Sequence, residues 1–143
     1  MSIEAIQNEI IEEFEFFDDW MDKYEYIIEL GKSLPLIDDQ YKDKDHLISG
    51  CQSQVWLHAG LEGNKVEFRA DSDAVITKGI IALLVRVLSN QEAQAIASSD
   101  LHFIEKIGLQ EHLSPTRSNG LLSMVKQMKL YGLALQSKLE KSA

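Results

Sequence analysis

Val55-Trp56-Leu57-His58-Ala59-Gly60-Leu61-Glu62-Gly63-Asn64-Lys65-Val66-Glu67-Phe68-Arg69-Ala70 is the stretch that decides the fold class. Val55, Leu57, Ala59 and Leu61 are apolar at every second position, and Val66, Phe68 and Ala70 repeat the pattern between Lys65, Glu67 and Arg69. Successive strand residues point to opposite faces, so the alternation predicts two strands, each buried on one side. Glu62-Gly63-Asn64 between them reads as the turn of a hairpin. A weak strand at 47–48 precedes the pair, and Cys51 lies in the connection.

Away from the hairpin the apolar period becomes helical. Ile6, Ile10, Phe14 and Phe17 share one face of a helix over residues 3–17, with Glu9, Glu12 and Glu13 outside. Asp18-Asp19 offers a break and an N-cap. Trp20, Tyr24, Ile27 and Leu30 then carry a second helix, which Gly31 and Pro35 end. Residues 36–46 are polar and read as a loop. Beyond the hairpin, Asp71-Ser72-Asp73 supplies cap residues for a long helix running to about residue 88. Its stripe of Ile76, Ile80, Leu83, Leu84 and Val87 adjoins Ile81, Val85 and Leu88, which predicts burial almost all round. Residues 91–97 and 103–107 read as short helical pieces and 113–120 as a turn-rich loop. A last helix turns Leu121, Met124, Met128, Tyr131 and Leu135 inward. Helices flanking one antiparallel hairpin define an α+β architecture. With 143 residues and no repeat or linker, one domain over 1–143 is expected.

The formal net charge of −9 disfavours nucleic acid and anionic membrane, whose phosphates require a basic face. The first residues, Met1-Ser2-Ile3-Glu4, are acidic and unlike a secretory signal. The most apolar run, residues 80–85, is far shorter than the ~20 residues of a bilayer span. A single cysteine rules out an intrachain disulfide and suits a reducing compartment. A cytoplasmic protein is expected.

Cys51 stands in Gly50-Cys51-Gln52-Ser53-Gln54-Val55-Trp56, at a loop-to-strand junction. Glycine before it permits unusual backbone angles and close approach of another chain. Most free cysteines are inert small hydrophobes, and exposure and thiolate character decide which are reactive. His46, His58, His102 and His112 show no ligand spacing with one another or with Cys51, so no metal site is expected. One cysteine alone does not hold an iron–sulfur cluster. A cysteine hydrolase would need a histidine base beside the thiol, and only folding could bring His112 there. No glycine-rich turn leads into a Lys-Ser or Lys-Thr pair. Gly79, inside the long helix, implies a close neighbour or a shallow surface for a partner. Arg117 is either a solvated loop charge or a cation that would favour a nearby thiolate.

Four stretches carry a family resemblance. They are Tyr26-Ile27-Ile28-Glu29-Leu30-Gly31 with Leu34-Pro35; Gly50 to Trp56; Asp71-Ser72-Asp73-Ala74 leading to Lys78-Gly79; and His112-Leu113-Ser114-Pro115-Thr116-Arg117-Ser118-Asn119-Gly120. In their order and spacing the chain resembles the SufE family of sulfur acceptors, which work with cysteine desulfurases in iron–sulfur cluster assembly. Gln52-Ser53-Gln54 is closer to the Suf branch than to the CsdE branch. The resemblance implies a two-layer α+β sandwich shared with IscU-type scaffolds, a small antiparallel sheet packed on helices, with the acceptor cysteine on a loop at one end.

It also implies a role. Cys51 would take sulfane sulfur as a persulfide from a SufS-type cysteine desulfurase and pass it to a Suf-type cluster scaffold complex. The protein would be a carrier and activator rather than an enzyme. It would hold no cofactor of its own, because the pyridoxal phosphate (PLP) belongs to the desulfurase. Gly50, Gln52, Gln54, Asp73, Lys78, Gly79 and Arg117 would form the partner surface, and a homodimer is left open. Thiol exchange needs one accessible thiolate and a good leaving thiolate, and a second cysteine nearby could discharge the persulfide as a disulfide. Because a persulfide in open solvent is lost to any passing thiol, Cys51 is expected to rest against apolar neighbours, with a raised pKa and Gly50 as a hinge. The competing readings are a regulatory module that binds a desulfurase without taking sulfur, and a redox-sensing thiol.

Overall fold

The computed structural model describes residues 1–142. Helix α1 (Ile3–Glu15) begins at Ser2, whose hydroxyl accepts from the Ala5 N–H, and α2 (Trp20–Gly31) begins at Asp19, whose carboxylate accepts from Asp22 N–H. Strands β1 (Val55–Glu62) and β2 (Lys65–Ser72) follow, then α3 (Val75–Leu88) and a short β3 (Gln91–Glu92). Short helices α4 (Ala93–Ala97) and α5 (Phe103–Lys106) lead to the long α6 (Pro115–Ser142). The α+β expectation holds.

The hairpin forms in the predicted register, with Val55 opposite Ser72 and Glu62 opposite Lys65. Gly63 opens its two-residue turn at φ 67°, a left-handed angle that the primed hairpin turns demand and only glycine adopts freely. Val55, Leu57, Val66, Phe68 and Ala70 are fully buried on the inner face. Ala59 and Leu61, nearer the turn, are only partly covered. On the outer face Tyr41 stacks on His58 with ring centres 4.0 Å apart, so the polar segment 36–46 lies against the sheet.

The far edge of β2 is where the sequence reading needs correction. Residues 91 and 92 are not helical. Asn90 takes φ 63° and donates to Val66 O, which turns the chain back so that Gln91 and Glu92 pair with Val66 and Lys65. Asparagine tolerates that angle better than most residues. Farther along, Phe68 N–H donates to Ser89 Oγ, Ala70 N–H to Pro35 O, and Ile37 N–H to Ala70 O. The edge is thereby satisfied without a full strand, which removes a template for unwanted pairing. The strand at 47–48 is reduced to one bridge between Leu47 and Trp56.

Helix α3 is the centre of the core, with Ile81, Leu84, Val87 and Leu88 fully buried. It packs on β2, α2, α1 and α6. The assignment at its start changes. Residues 71 and 72 belong to β2, and α3 starts after Ala74 with no side-chain cap. Gly31 ends α2 as expected, as its last, buried residue, and it is placed to admit Gly79. Gln7, on the inner face of α1, is a fully buried polar side chain, with Nε2 donating to Asp100 O and Oε1 accepting from Phe103 N–H.

Candidate functional site

The chain enters the Cys51 loop from the Leu47–Trp56 bridge, where Ile48 N–H donates to Val55 O at 2.9 Å. It leaves through Gln54, whose N–H donates to the Asp73 carboxylate at 3.0 Å and whose carbonyl accepts from Ser72 Oγ at 2.8 Å. Both ends are pinned, and the residues between must bulge outward. Gly50 takes φ 90°, and a Cβ there would strike Ser123 Oγ. The loop therefore lies directly on α6. Gly120, one turn earlier, faces Cys51: a Cβ on Gly120 would be 3.5 Å from Sγ, in ordinary van der Waals contact.

Cys51 is half-buried, and its thiol sits 3.6 Å from Gly120 O, to which it donates. Burial pushes the thiol pKa up, since removing water disfavours the thiolate. The thiol is sheltered, but not wholly by apolar groups. It faces a cleft of about 260 Å³ lined by Gln52 and Ser53 of the loop, Thr77 and Ile80 of α3, and Ser114, Thr116, Arg117, Gly120 and Met124 at the start of α6. Ile80 and Met124 supply the apolar part, and hydroxyls supply most of the rest.

The segment expected as a turn-rich loop forms the first turns of α6. Proline is favoured in the first turn, where a helix has no use for its missing N–H, and serine is a preferred N-cap. Ser114-Pro115 fits both rules, with Arg117 N–H donating to Ser114 Oγ at 3.3 Å. The helix delivers Arg117 and Gly120 to Cys51 together.

Of the expected partner-surface residues, the structure gathers Gly50, Gln52 and Arg117 around Cys51, with Gln54 and Asp73 tied to each other at the loop's exit. Lys78 is paired instead with Asp71 at 3.3 Å, and Asp71 also holds Lys42 at 2.7 Å. Gly79 is buried against Ile27 and is not in the cleft wall; Thr77 and Ile80 are the α3 residues there. Thr77, Ser114 and Ser123 escaped the sequence reading. A helix start at Ser114 was the available signal for the last two.

His112 is not beside Cys51. Its ring stacks on Trp20 with centres 3.9 Å apart, and Nδ1 is bonded to Gly108 O. Among the described residues no group of three His, Cys, Asp or Glu side chains is arranged to hold a metal ion. Among the same residues no helix is long and apolar enough to cross a membrane.

Comparison with known proteins adds four findings. The family described as "SufE: Fe-S metabolism associated domain" matches residues 8–131. An uncharacterized SufE-like protein of Rhizobium etli is 42% identical over 130 residues, covering 87% of this chain and 88% of that protein. SufE-like protein 1, chloroplastic/mitochondrial, of Arabidopsis thaliana is 40% identical over 136 residues, covering 94% of this chain and 37% of that longer protein. In fold, the solution structure of a hypothetical protein from Thermus thermophilus superposes with a TM-score of 0.77 at 19% identity, covering 92% of this chain and 96% of that one.

Proposed function

The chain belongs to the SufE family and has a role in Fe-S metabolism, and on that premise we propose that it is a sulfur acceptor and carrier whose acceptor is Cys51. The observation that carries this reading is the seat of the thiol. The one cysteine of the chain lies on a loop pinned at both ends, against a glycine on one helix, with a cleft opening in front of the sulfur.

The donor is a persulfide on a SufS-type, PLP-dependent cysteine desulfurase. Cys51 attacks as the thiolate, because the thiolate is the nucleophile in sulfur exchange. A bond forms between Cys51 Sγ and the donor's terminal sulfur as the donor's S–S bond breaks. The donor's inner sulfur keeps the electron pair and takes up a proton, and no external oxidant or reductant is consumed. The carried sulfur then goes to a Suf-type cluster scaffold complex. Burial raises the thiol pKa and so lowers the share of thiolate at rest, and binding to the donor activates Cys51 by moving the loop or supplying charge. Gly50 is the natural hinge. Asp73, which fixes Gln54 by its carboxylate, governs how the loop leaves its seat. A cytoplasmic setting, which is reducing, suits a protein with one working thiol.

The test is mass spectrometry of the intact chain after incubation with a SufS-type desulfurase and free cysteine. One added sulfur is expected on the wild type and none on Cys51→Ser. Added sulfur on Cys51→Ser would show that Cys51 is not the acceptor. Binding without any added sulfur on the wild type would favour a purely regulatory module.

A further inference from the structure

Phe16, the residue after α1, is 86% exposed, more than any other large apolar side chain among the described residues. Met21, in the first turn of α2, is 75% exposed. Isolated exposed hydrophobes are ordinary. Phe16 is not isolated: it lines a groove of about 410 Å³ between α1 and α2, together with Phe17 and Tyr26. Phe17 meets Phe16 edge to face at 6.0 Å and lies 5.1 Å from the Tyr26 ring. Glu9, Glu12 and Glu13 line the rest. Glu9 and Glu13 share Arg86, and Glu12 pairs with no base among the described residues. The surrounding charge is one-sided. Residues 1–22 hold five glutamates and three aspartates, eight of the chain's 23 acids, and none of its 14 basic side chains. Lys23, the first base, lies over the Trp20 ring at 4.9 Å.

Aromatic rings set among carboxylates have a defined complement. Ring faces attract cations, and a guanidinium both stacks on a ring and pairs with a carboxylate. The groove between the rings takes an aliphatic side chain. Nucleic acid and anionic membrane are repelled by this charge. A small diffusible cation would meet Glu12 and one ring, leaving Phe16 and Met21 largely in water, whereas a chain segment covers both. We infer that the groove is a docking site for a basic segment of a partner protein. The segment sets an arginine or lysine against Glu12 and the Phe16 ring, and a bulky aliphatic side chain against Phe17 and Tyr26. The groove shares no residue with the cleft before Cys51. On α3 the two places are marked by Arg86 and Thr77, about 13 Å apart along the helix. A partner held at the groove therefore leaves the Cys51 loop uncovered, and the site does not depend on the carrier reading.

The probe is a short synthetic peptide, acetylated and amidated, with two arginines and two leucines. It is titrated into the isotope-labelled full chain and followed by backbone amide shifts. Changes are expected in α1, the turn after it and the first turn of α2, and none in the Cys51 loop. Raising salt from ~0.05 to ~0.5 M should weaken binding about tenfold, because exposed charges are screened. Phe16→Ser, which keeps every charge, should weaken it about fivefold or more, and so should serine for leucine in the peptide. Glu12→Lys should weaken it roughly tenfold. Alkylation of Cys51 by iodoacetamide should match wild type in both variants. No shift in α1 or α2, or equal binding by Phe16→Ser, overturns the docking site, the second by reducing it to bare charge attraction. Spermidine giving the same shifts at the same affinity would assign the groove to a small cation instead. Self-association of the wild type in sedimentation, abolished by Phe16→Ser, would assign it to a second copy of the chain.

Discussion

Gly31 and Gly79 meet backbone to backbone where α2 crosses α3: a Cβ on Gly31 would lie 3.0 Å from the Gly79 nitrogen. A Cβ on Gly79 would overlap the Ile27 carbonyl oxygen and stand 2.7 Å from the carbonyl carbon. Neither obstacle is a flexible side chain, so the helices would have to separate. Gly79→Ala is expected to destabilise the fold by about 3 kcal/mol, despite the ~1 kcal/mol that alanine gains in helix propensity. Gly31→Ala should cost about 1–2 kcal/mol. Urea unfolding measures both. A Gly79→Ala chain as stable as wild type would mean that the two helices are not in this contact.

Gly50→Ala tests the seat of the loop. Alanine resists φ 90°, and its methyl would strike Ser123 Oγ, so the loop should lift from α6. The expected cost is about 1–3 kcal/mol, with alkylation of Cys51 faster than in wild type. Slower or unchanged alkylation would show that the loop is not held in this seat by Gly50.

The pH dependence of Cys51 alkylation follows from its burial. A raised folded pKa means that at neutral pH less thiolate is present than on an unhindered peptide thiol, so wild type should react more slowly. Its rate should keep rising with pH after the rate of the peptide thiol, with an ordinary pKa of ~8.5, has levelled off. Matching profiles for the native and urea-unfolded chain would contradict the burial.

Arg86 joins α1 to α3 through two bonds to Glu13, at 2.8 and 2.6 Å, and Tyr26 donates to the same carboxylate. The bond to Arg86 outweighs burial and holds the Glu13 pKa below its ordinary value of 4.5. A depressed carboxylate stabilises the fold fully above the unfolded value, and that stability is lost as pH falls through the folded value. Glu13→Gln should therefore cost about 1–2 kcal/mol at neutral pH and less toward pH 3, the pair being only partly shielded from water. A constant difference across that range would assign the effect to packing rather than charge.

The hairpin and α3 are legible in the sequence because their codes are local: period two around Gly63, and a long apolar stripe from Ile76 to Leu88. What is not legible depends on partners distant in the chain. Gln91 and Glu92 are too few and too polar to show a period, and become a strand only because Asn90 returns the chain to Val66. Pro115, Ser118, Asn119 and Gly120 are turn residues one by one, and their helical state follows from Ser114 as cap and Pro115 as first-turn residue. Cys51 could be singled out from its neighbours. Thr77 could not, because nothing in a threonine on an apolar helix says which cavity it will face. Gly79 carried the right signal, close approach, though the neighbour proved to be Ile27 rather than a partner.

Gln7 imposes an order on synthesis. Its two bonds reach Asp100 and Phe103, 93 and 96 residues farther on. As the chain leaves the ribosome, α1 emerges before α3 and α5, and until they follow it has α2 to pack against, through Phe14 and Tyr26. At roughly 5–20 residues per second, its receiving surface arrives on the order of 5–20 seconds later. During that interval part of the apolar face of α1 is open to chaperone capture, and α1 completes its docking only once α5 has been made.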